Sequence, residues 1–287
     1  MIANHNVLFV TLDCCRYDTY QRANTPNIDR LGRMRKAGTM GTYTLPAHTS
    51  FFMGYLPFVF QAPFEPFYSP DVRQLWRLTS GRKKDPATIG ISIEQPTVLR
   101  DYSARGFKVA GFGGVRWFRH TALSGLFDEF HLFSENDFNS VFDGRHRHEF
   151  PLSRIDDVIS AVEGERFFLF INSAETHVPY DFGDGVLPSA GRRVIEKYRD
   201  LWGFKGSQLS RFDFDQTELS FLHGAQVAAL EAVDVKLGEL LSKLPRPLLV
   251  VITGDHGECF GEDMAWGHGF PHAKVTEVPL LITTLES

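Results

Sequence analysis

The sequence predicts an α/β fold with a mostly parallel central sheet and helices on both faces. Three observations carry this. Short apolar runs recur along the chain with helical segments between them. The runs are rich in Val, Ile, Leu and Phe without clean alternation, as expected of strands covered on both faces. Two of them, one near each end of the chain, stop at an aspartate, and open α/β sheets gather their ligands at the carboxyl ends of strands.

The expected strands are Val7–Leu12, Phe107–Phe112, Phe127–Phe133, Phe167–Asn172, Leu248–Thr253 and Pro279–Thr283. The expected helices are Pro26–Ala37, Val72–Thr79, Ser92–Arg105, Ser153–Val162 and Leu219–Leu244. The last is the clearest. Leu230, Val233, Leu237, Leu240, Leu241 and Leu244 fall on one face at three- and four-residue spacing, and Pro245 and Pro247 then stop the helix. Pro46 suits the first turn of a further helix and Gly54 its end, which places Thr44 just before a helix N-terminus. Two stretches read as surface loops of the kind that cover active sites: Leu56–Pro70 and Tyr180–Gly191. No internal repeat or domain boundary is visible, so residues 1–287 are expected to form one domain.

Composition narrows the function. A net charge of −5 carries no nucleic-acid footprint, and the densest basic group, Arg145 to His148, reads as a solvated loop. The 26 phenylalanines read as an aromatic core. No apolar run approaches the roughly 18 residues of a spanning helix. Cys14, Cys15 and Cys259 are odd in number and include an adjacent pair, which argues against a disulfide framework and points to a cytoplasmic setting.

Four segments carry chemistry. Asp13 leaves the first strand, and a buried acid there needs a cation or donors; capping a helix or pairing with Arg16 would also serve. Thr44 stands where unpaired N–H groups attract anions. Its hydroxyl is a poor nucleophile at neutral pH unless a metal on the oxygen lowers its pKa; the alternative is a plain helix cap. His177 follows the strand that ends at Asn172, either as a ligand or as a hydrogen-bonded surface residue. Gly254 to His272 holds Asp255, His256, His268 and His272 among several glycines, a density that favours a metal or anion site.

Together and in this order, the segments resemble the alkaline phosphatase/sulfatase superfamily, from Asn6 to Ile282. Thr25-Pro26-Asn27-Ile28-Asp29-Arg30-Leu31 resembles a helix of the sulfatases, and Thr44-x-Pro46 with Gly54 matches the spacing of their nucleophile motif. The resemblance implies that Asp13, Asp255 and His256 hold a metal and that Thr44 is the nucleophile and also touches it. It implies substrate binding by His177, which resembles the sulfatase His-x-Pro segment. His268 resembles the anion-binding histidine of phosphoethanolamine transferases, whose pattern Asp255 to Glu262 echoes. A chain ending at Ser287 is expected to lack the C-terminal subdomain of large sulfatases.

The sequence also departs from the sulfatases. Cys14 stands where they have a second Asp, Thr44 where they have the Cys or Ser that becomes formylglycine, His48 where they have Arg, and His256 where they have Asn. Threonine cannot give that aldehyde. The resemblance therefore implies a metal-dependent hydrolase of phosphate or phosphonate esters working through a covalent Thr44 intermediate on a small-molecule substrate. The alternatives are a sulfuric ester hydrolase, a phosphoethanolamine-type transferase and a non-catalytic metal-binding relict. The mixed oxygen and nitrogen ligands favour zinc or manganese, with calcium and magnesium as harder alternatives. A second metal would draw on His177, His268 and His272, with Glu175 as a further donor.

Overall fold

The computed structural model describes residues 5–54, 78–79, 91–92, 96–115, 117–120, 123–133, 150–180, 193–194, 196–197 and 214–286. Seven strands form the central sheet: β1 (Asn6–Leu12), β2 (Arg35–Gly38), β3 (Lys108–Gly113), β4 (Glu129–Leu132), β5 (Phe167–Ser173), β6 (Leu248–Gly254) and β7 (Glu277–Leu285). Their spatial order is β2-β7-β6-β1-β5-β3-β4. Strands β6, β1, β5, β3 and β4 are parallel neighbours, while β7 runs antiparallel to both β6 and β2. All six expected strands are present. β2 was not expected.

Eight helices surround the sheet among the described residues: α1 (Tyr17–Arg22), α2 (Pro26–Leu31), α3 (Thr44–Met53), α4 (Val98–Ala104), α5 (Trp117–His120), α6 (Ile155–Ser160), α7 (Gln216–Lys243) and α8 (Ala273–Thr276). Side-chain alternation along the strands builds two cores. Leu8, Val10, Leu12, Leu169, Ile171, Val250 and Ile252 pack on one face against α7, with Tyr20, Ile28 and Val158. Val7, Phe9, Phe168 and Phe170 pack on the other face against Phe52 of α3, Leu99 of α4 and Phe118 of α5. The second core is a cluster of aromatic rings centred on Phe170, edge-on to Phe52 and tilted against Phe118 and Phe127.

Four helices differ from expectation in their boundaries. α2 stops at Leu31 instead of reaching Ala37, because Gly32 takes a φ of 144°, open to glycine alone, and Arg35–Gly38 then pairs with β7. α4 begins at Val98 instead of Ser92. Thr97 accepts a hydrogen bond from the Arg100 amide, and Ile91–Ser92 pairs as a short strand with Leu78–Thr79. That pairing also replaces the end of the expected helix Val72–Thr79, whose earlier part lies outside the described residues. α6 is shortened to Ile155–Ser160 and is preceded by a 3-10 turn at Pro151–Ser153. α7 starts at Gln216 because Asp215 and Glu218 form a reciprocal capping box, three residues ahead of the expected Leu219. The loop at Leu56–Pro70, the Arg145–His148 group and the loop after Tyr180 lie outside the described residues.

Candidate metal centre and nucleophile

The carboxyl ends of β1 and β6 are neighbours, with Leu12 in register with Gly254. The chain-distant Asp13 and Asp255 therefore leave the sheet side by side, and both are fully buried. Asp255 Oδ1 is satisfied by the amides of Cys14 (3.2 Å) and His256 (2.8 Å). Asp255 Oδ2 has no hydrogen-bond partner among the described residues. It faces His256 Nε2 at 3.6 Å, and Asp13 Oδ1 faces the same nitrogen at 3.6 Å.

His256 is poised as a ligand. Its Nδ1 donates to the Gly257 carbonyl at 3.0 Å, which fixes the tautomer and turns the Nε2 lone pair toward the two carboxylates. That Nε2 has no hydrogen-bond partner among the described residues. The turn that presents it needs Gly257, where a Cβ would run into the Lys274 carbonyl.

Thr44 completes the ring of donors. It is the first residue of α3, one position further into the helix than expected, with Tyr43 as the N-cap. Its hydroxyl is buried and donates to Asp13 Oδ2 at 3.5 Å. Asn172, at the end of β5, donates to the same oxygen at 3.2 Å. Asn172 was read only as a strand residue, yet it fixes the carboxylate that meets Thr44.

Burial drives Asp13 up, but His177, His256, the Asn172 hydrogen bond and His48 outweigh it and hold Asp13 below the usual carboxylate range. Burial and the charge of Asp13 push Asp255 well above that range. Burial, then His268, lowers His256 to about 3, so it stays a neutral donor at ordinary pH. Two ionised carboxylates this deep cost several kcal/mol unless a cation joins them. A divalent cation fits what is present: two facing carboxylate oxygens, an imidazole lone pair lacking a partner and a hydroxyl. The donor set is mixed oxygen and nitrogen, which suits zinc or manganese better than calcium.

A second cluster adjoins the first. Ligand atoms of Cys14, His177 and His268 lie within 4.8 Å of one another, as do those of Asp13, Cys14 and His256. His268 Nδ1 is 3.0 Å from Glu258 Oε1, and the ring centroids of His256 and His268 are 4.5 Å apart. The expected residues Asp13, Thr44, Asp255, His256, His177 and His268 thus gather at one rim.

His272 is a correction. Its Nδ1 accepts from the Lys274 amide as the cap of α8, and its Nε2 meets Asp263 Oδ2 at 3.2 Å, so both ring nitrogens serve the local turn. Glu175 accepts from Ser173 at 2.8 Å and is not among the clustered ligand atoms. His48, where the sulfatases have Arg, is a core residue. It lies fully buried beneath Thr44, bonded to the Thr44 carbonyl (2.7 Å) and Thr11 (3.0 Å), with Phe118 and Phe170 edge-on to its ring. Burial lowers it to about 4. Sequence reading missed Glu258 and Gln226. Gln226 donates to the carbonyls of Cys14 (2.9 Å) and Thr176 (3.2 Å) and so ties the two rim loops together from α7. A glutamine on the buried face of an apolar helix was the available signal.

Solved structures similar in fold include the zinc complex of the C-terminal periplasmic domain of EcEptC from Escherichia coli (15% identity, TM-score 0.56, covering 99% of this chain and 73% of that one). Another is the putative sulfatase yidJ from Bacteroides fragilis (16%, TM-score 0.61, 98% and 68%). A third is the soluble domain of lipooligosaccharide phosphoethanolamine transferase A from Neisseria meningitidis (16%, TM-score 0.58, 98% and 77%). No curated protein matches the sequence. No described helix is long and apolar enough to cross a membrane. The expected cytoplasmic setting gains no support here, since the Escherichia coli relative is a periplasmic domain. The Sulfatase family model spans residues 5–284, from the strand that delivers Asp13 to β7, and the chain belongs to that family.

Proposed function

We propose that the chain is a metal-dependent hydrolase of phosphate or phosphonate esters that forms a covalent intermediate on Thr44. The observation that carries this is the Thr44 hydroxyl at 3.5 Å from Asp13 Oδ2, at the start of α3, beside the two carboxylates and the partnerless His256 nitrogen. A side chain that is a secondary alcohol supports phosphoryl chemistry, because it cannot give the aldehyde hydrate on which sulfatases rely.

A bound divalent cation would be held by Asp13, Asp255, His256 and Thr44, and would supply Lewis acidity that favours the alkoxide and shields the anionic ester. The chain's own residues do the rest. Asp13 Oδ2 accepts the hydrogen bond of the Thr44 hydroxyl and turns its oxygen toward the substrate, and the Thr44 proton ends on the departing alcohol. Thr44 attacks the phosphorus in line. A Thr44 O–P bond forms as the bond to the leaving alcohol breaks. His177 and His268, on the far side of Cys14, bind the non-bridging oxygens. Water then attacks the phosphothreonine, giving phosphate and free Thr44. An acceptor alcohol in place of water would give transfer.

The test is a panel of aryl phosphate monoesters, diesters, phosphonates and sulfates with the metal-loaded protein. Phosphorus-centred turnover that vanishes in Thr44→Ala is the expected result. Turnover of sulfates alone, or wild-type turnover in Thr44→Ala, overturns the reading, and transfer to added alcohols without hydrolysis redirects it to a transferase.

A further inference from the structure

We propose that Thr11, His48 and Asn172 are positioning residues for Thr44, joined in a one-way hydrogen-bond relay that runs from the Thr44 carbonyl to the carboxylate oxygen its hydroxyl faces. This rests on the reading above, in which Thr44 is the nucleophile, and it adds three buried side chains that act through Thr44 and Asp13.

The relay stands where an apolar layer turns polar. Val7, Phe9, Phe168 and Phe170 line the sheet face that packs against α3. Thr11 and Asn172 are the next residues in that alternation, and they are partners in register across β1 and β5. Packing alone would be served by two more apolar residues. Both positions are instead polar and fully buried. His48 reaches them from α3, one turn after Thr44 and on the same side of the helix. Its ring is held among Phe51, Phe52, Phe118 and Phe170.

Each contact has one possible direction. The Thr44 carbonyl can only accept, so His48 Nδ1, at 2.7 Å, carries the hydrogen. The other polar atom near that nitrogen, Asp255 Oδ2 at 3.7 Å, is also an acceptor. Burial lowers the ring to about 4 and keeps it neutral. Nε2 therefore offers a lone pair and accepts from the Thr11 hydroxyl at 3.0 Å. With its hydrogen committed, the Thr11 oxygen accepts from Asn172 Nδ2 at 3.3 Å. The second hydrogen of that amide goes to Asp13 Oδ2 at 3.2 Å, the oxygen that the Thr44 hydroxyl meets at 3.5 Å. The far end sets the same order independently. The Gly114 amide can only donate, and it meets Asn172 Oδ1 at 3.2 Å, which fixes the orientation of the Asn172 amide.

Every polar hydrogen of the three side chains is thus used, and the ring closes on one residue. The carbonyl of Thr44 is held from one end and the partner of its hydroxyl from the other. A nucleophile loses rate steeply when it is displaced from the line of attack, and the relay removes that freedom before substrate arrives.

The experiment combines nitrogen NMR of the histidine rings with kinetics, both on the full chain. The wild type is expected to hold His48 as the Nδ1–H tautomer, assigned by the signals that vanish in His48→Gln. Thr11→Val keeps the shape of the side chain and removes its hydroxyl. Its His48 Nε2 signal should shift, and its kcat on an aryl phosphate should fall roughly tenfold with KM and metal content unchanged. Thr11→Ser retains the hydroxyl and should keep most of the rate, although it packs less well. Asn172→Ala cuts the relay at Asp13 and should lower kcat about a hundred-fold. An Nε2–H tautomer of His48 in the wild type overturns the proposal. So does a Thr11→Val enzyme with wild-type kcat, and so does a Thr11→Ser enzyme no faster than Thr11→Val. Failure of the Thr44 reading looks different: Thr44→Ala would then keep its turnover while the His48 ring signals still match the relay.

Discussion

Asp234 and Asp255 are both fully buried aspartates, and they are used in opposite ways. Asp234 lies on α7 and caps the start of α2. Its Oδ1 accepts from the Ile28 amide at 2.8 Å, and its Oδ2 accepts from the Asn27 amide (3.1 Å) and side chain (2.8 Å). Both oxygens are satisfied from within the chain. Asp255 has one oxygen satisfied by two amides, while the other faces a partnerless imidazole nitrogen and lies close to a second carboxylate. A polar cluster that serves the fold completes itself. One that awaits a ligand leaves atoms unpaired at a cost the fold bears elsewhere.

The sharpest way to break this contrast is at Thr44. Thr44→Ala should cut ester turnover at least about a thousand-fold, the scale seen when a covalent nucleophile is removed, while most of the metal stays bound. Parallel rate and elemental measurements check it. Next comes the pair of aspartates themselves. Asp255→Asn should abolish the rise in Tm that zinc gives the wild type, yet leave the metal-free Tm equal or higher, because it removes a carboxylate that burial and Asp13 already disfavour. Asp234→Ala should lower stability by about 1–3 kcal/mol for lost charge-assisted bonds, and so lower Tm with and without zinc alike. Calorimetry on both variants, with and without metal, separates the two behaviours.

How much of this could be read from the sequence depends on the length scale of the signal. β1, β5 and β6 are plain apolar runs, and their aspartate or asparagine ends gave the rim. The convergence of Asp13 with Asp255 follows once β1 and β6 are parallel neighbours. His272 could not be separated from His268 on spacing, because only the backbone decides that one imidazole caps α8 while the other meets Glu258. β2 was hidden because Arg35–Gly38 has no apolar pattern; it is an edge strand that owes its place to β7. The capping box at Asp215 and Glu218 was legible in the sequence and would have set the start of α7 correctly. A glutamine on the buried face of α7 signals a buried polar contact, but the partners of Gln226 and Asn172 are distant backbone and carboxylate atoms that no local pattern names.

A smaller effect tests His48 as a core residue. In the unfolded chain it titrates near 6.5, and in the fold only at about 4, because burial disfavours the charged ring. Unfolding therefore takes up a proton between those values. The stabilisation is complete above about pH 6.5 and is lost as pH falls toward about 4. His48→Gln should flatten that acid limb of a Tm-against-pH curve relative to wild type, and an unchanged limb would assign it to other groups. The smallest effect belongs to His272. His272→Ala removes a cap worth roughly 1 kcal/mol and should leave turnover and metal content unchanged; a loss of either would return His272 to the site.

The central claim is a cation seated among Asp13, Thr44, Asp255 and His256. Anomalous diffraction at the zinc edge from zinc-loaded crystals tests it most directly. A strong peak is expected, bounded by the carboxylates of Asp13 and Asp255, His256 Nε2 and Thr44 Oγ1. Density maps in which these four side chains surround no such peak, with zinc bound elsewhere or not at all, would contradict it.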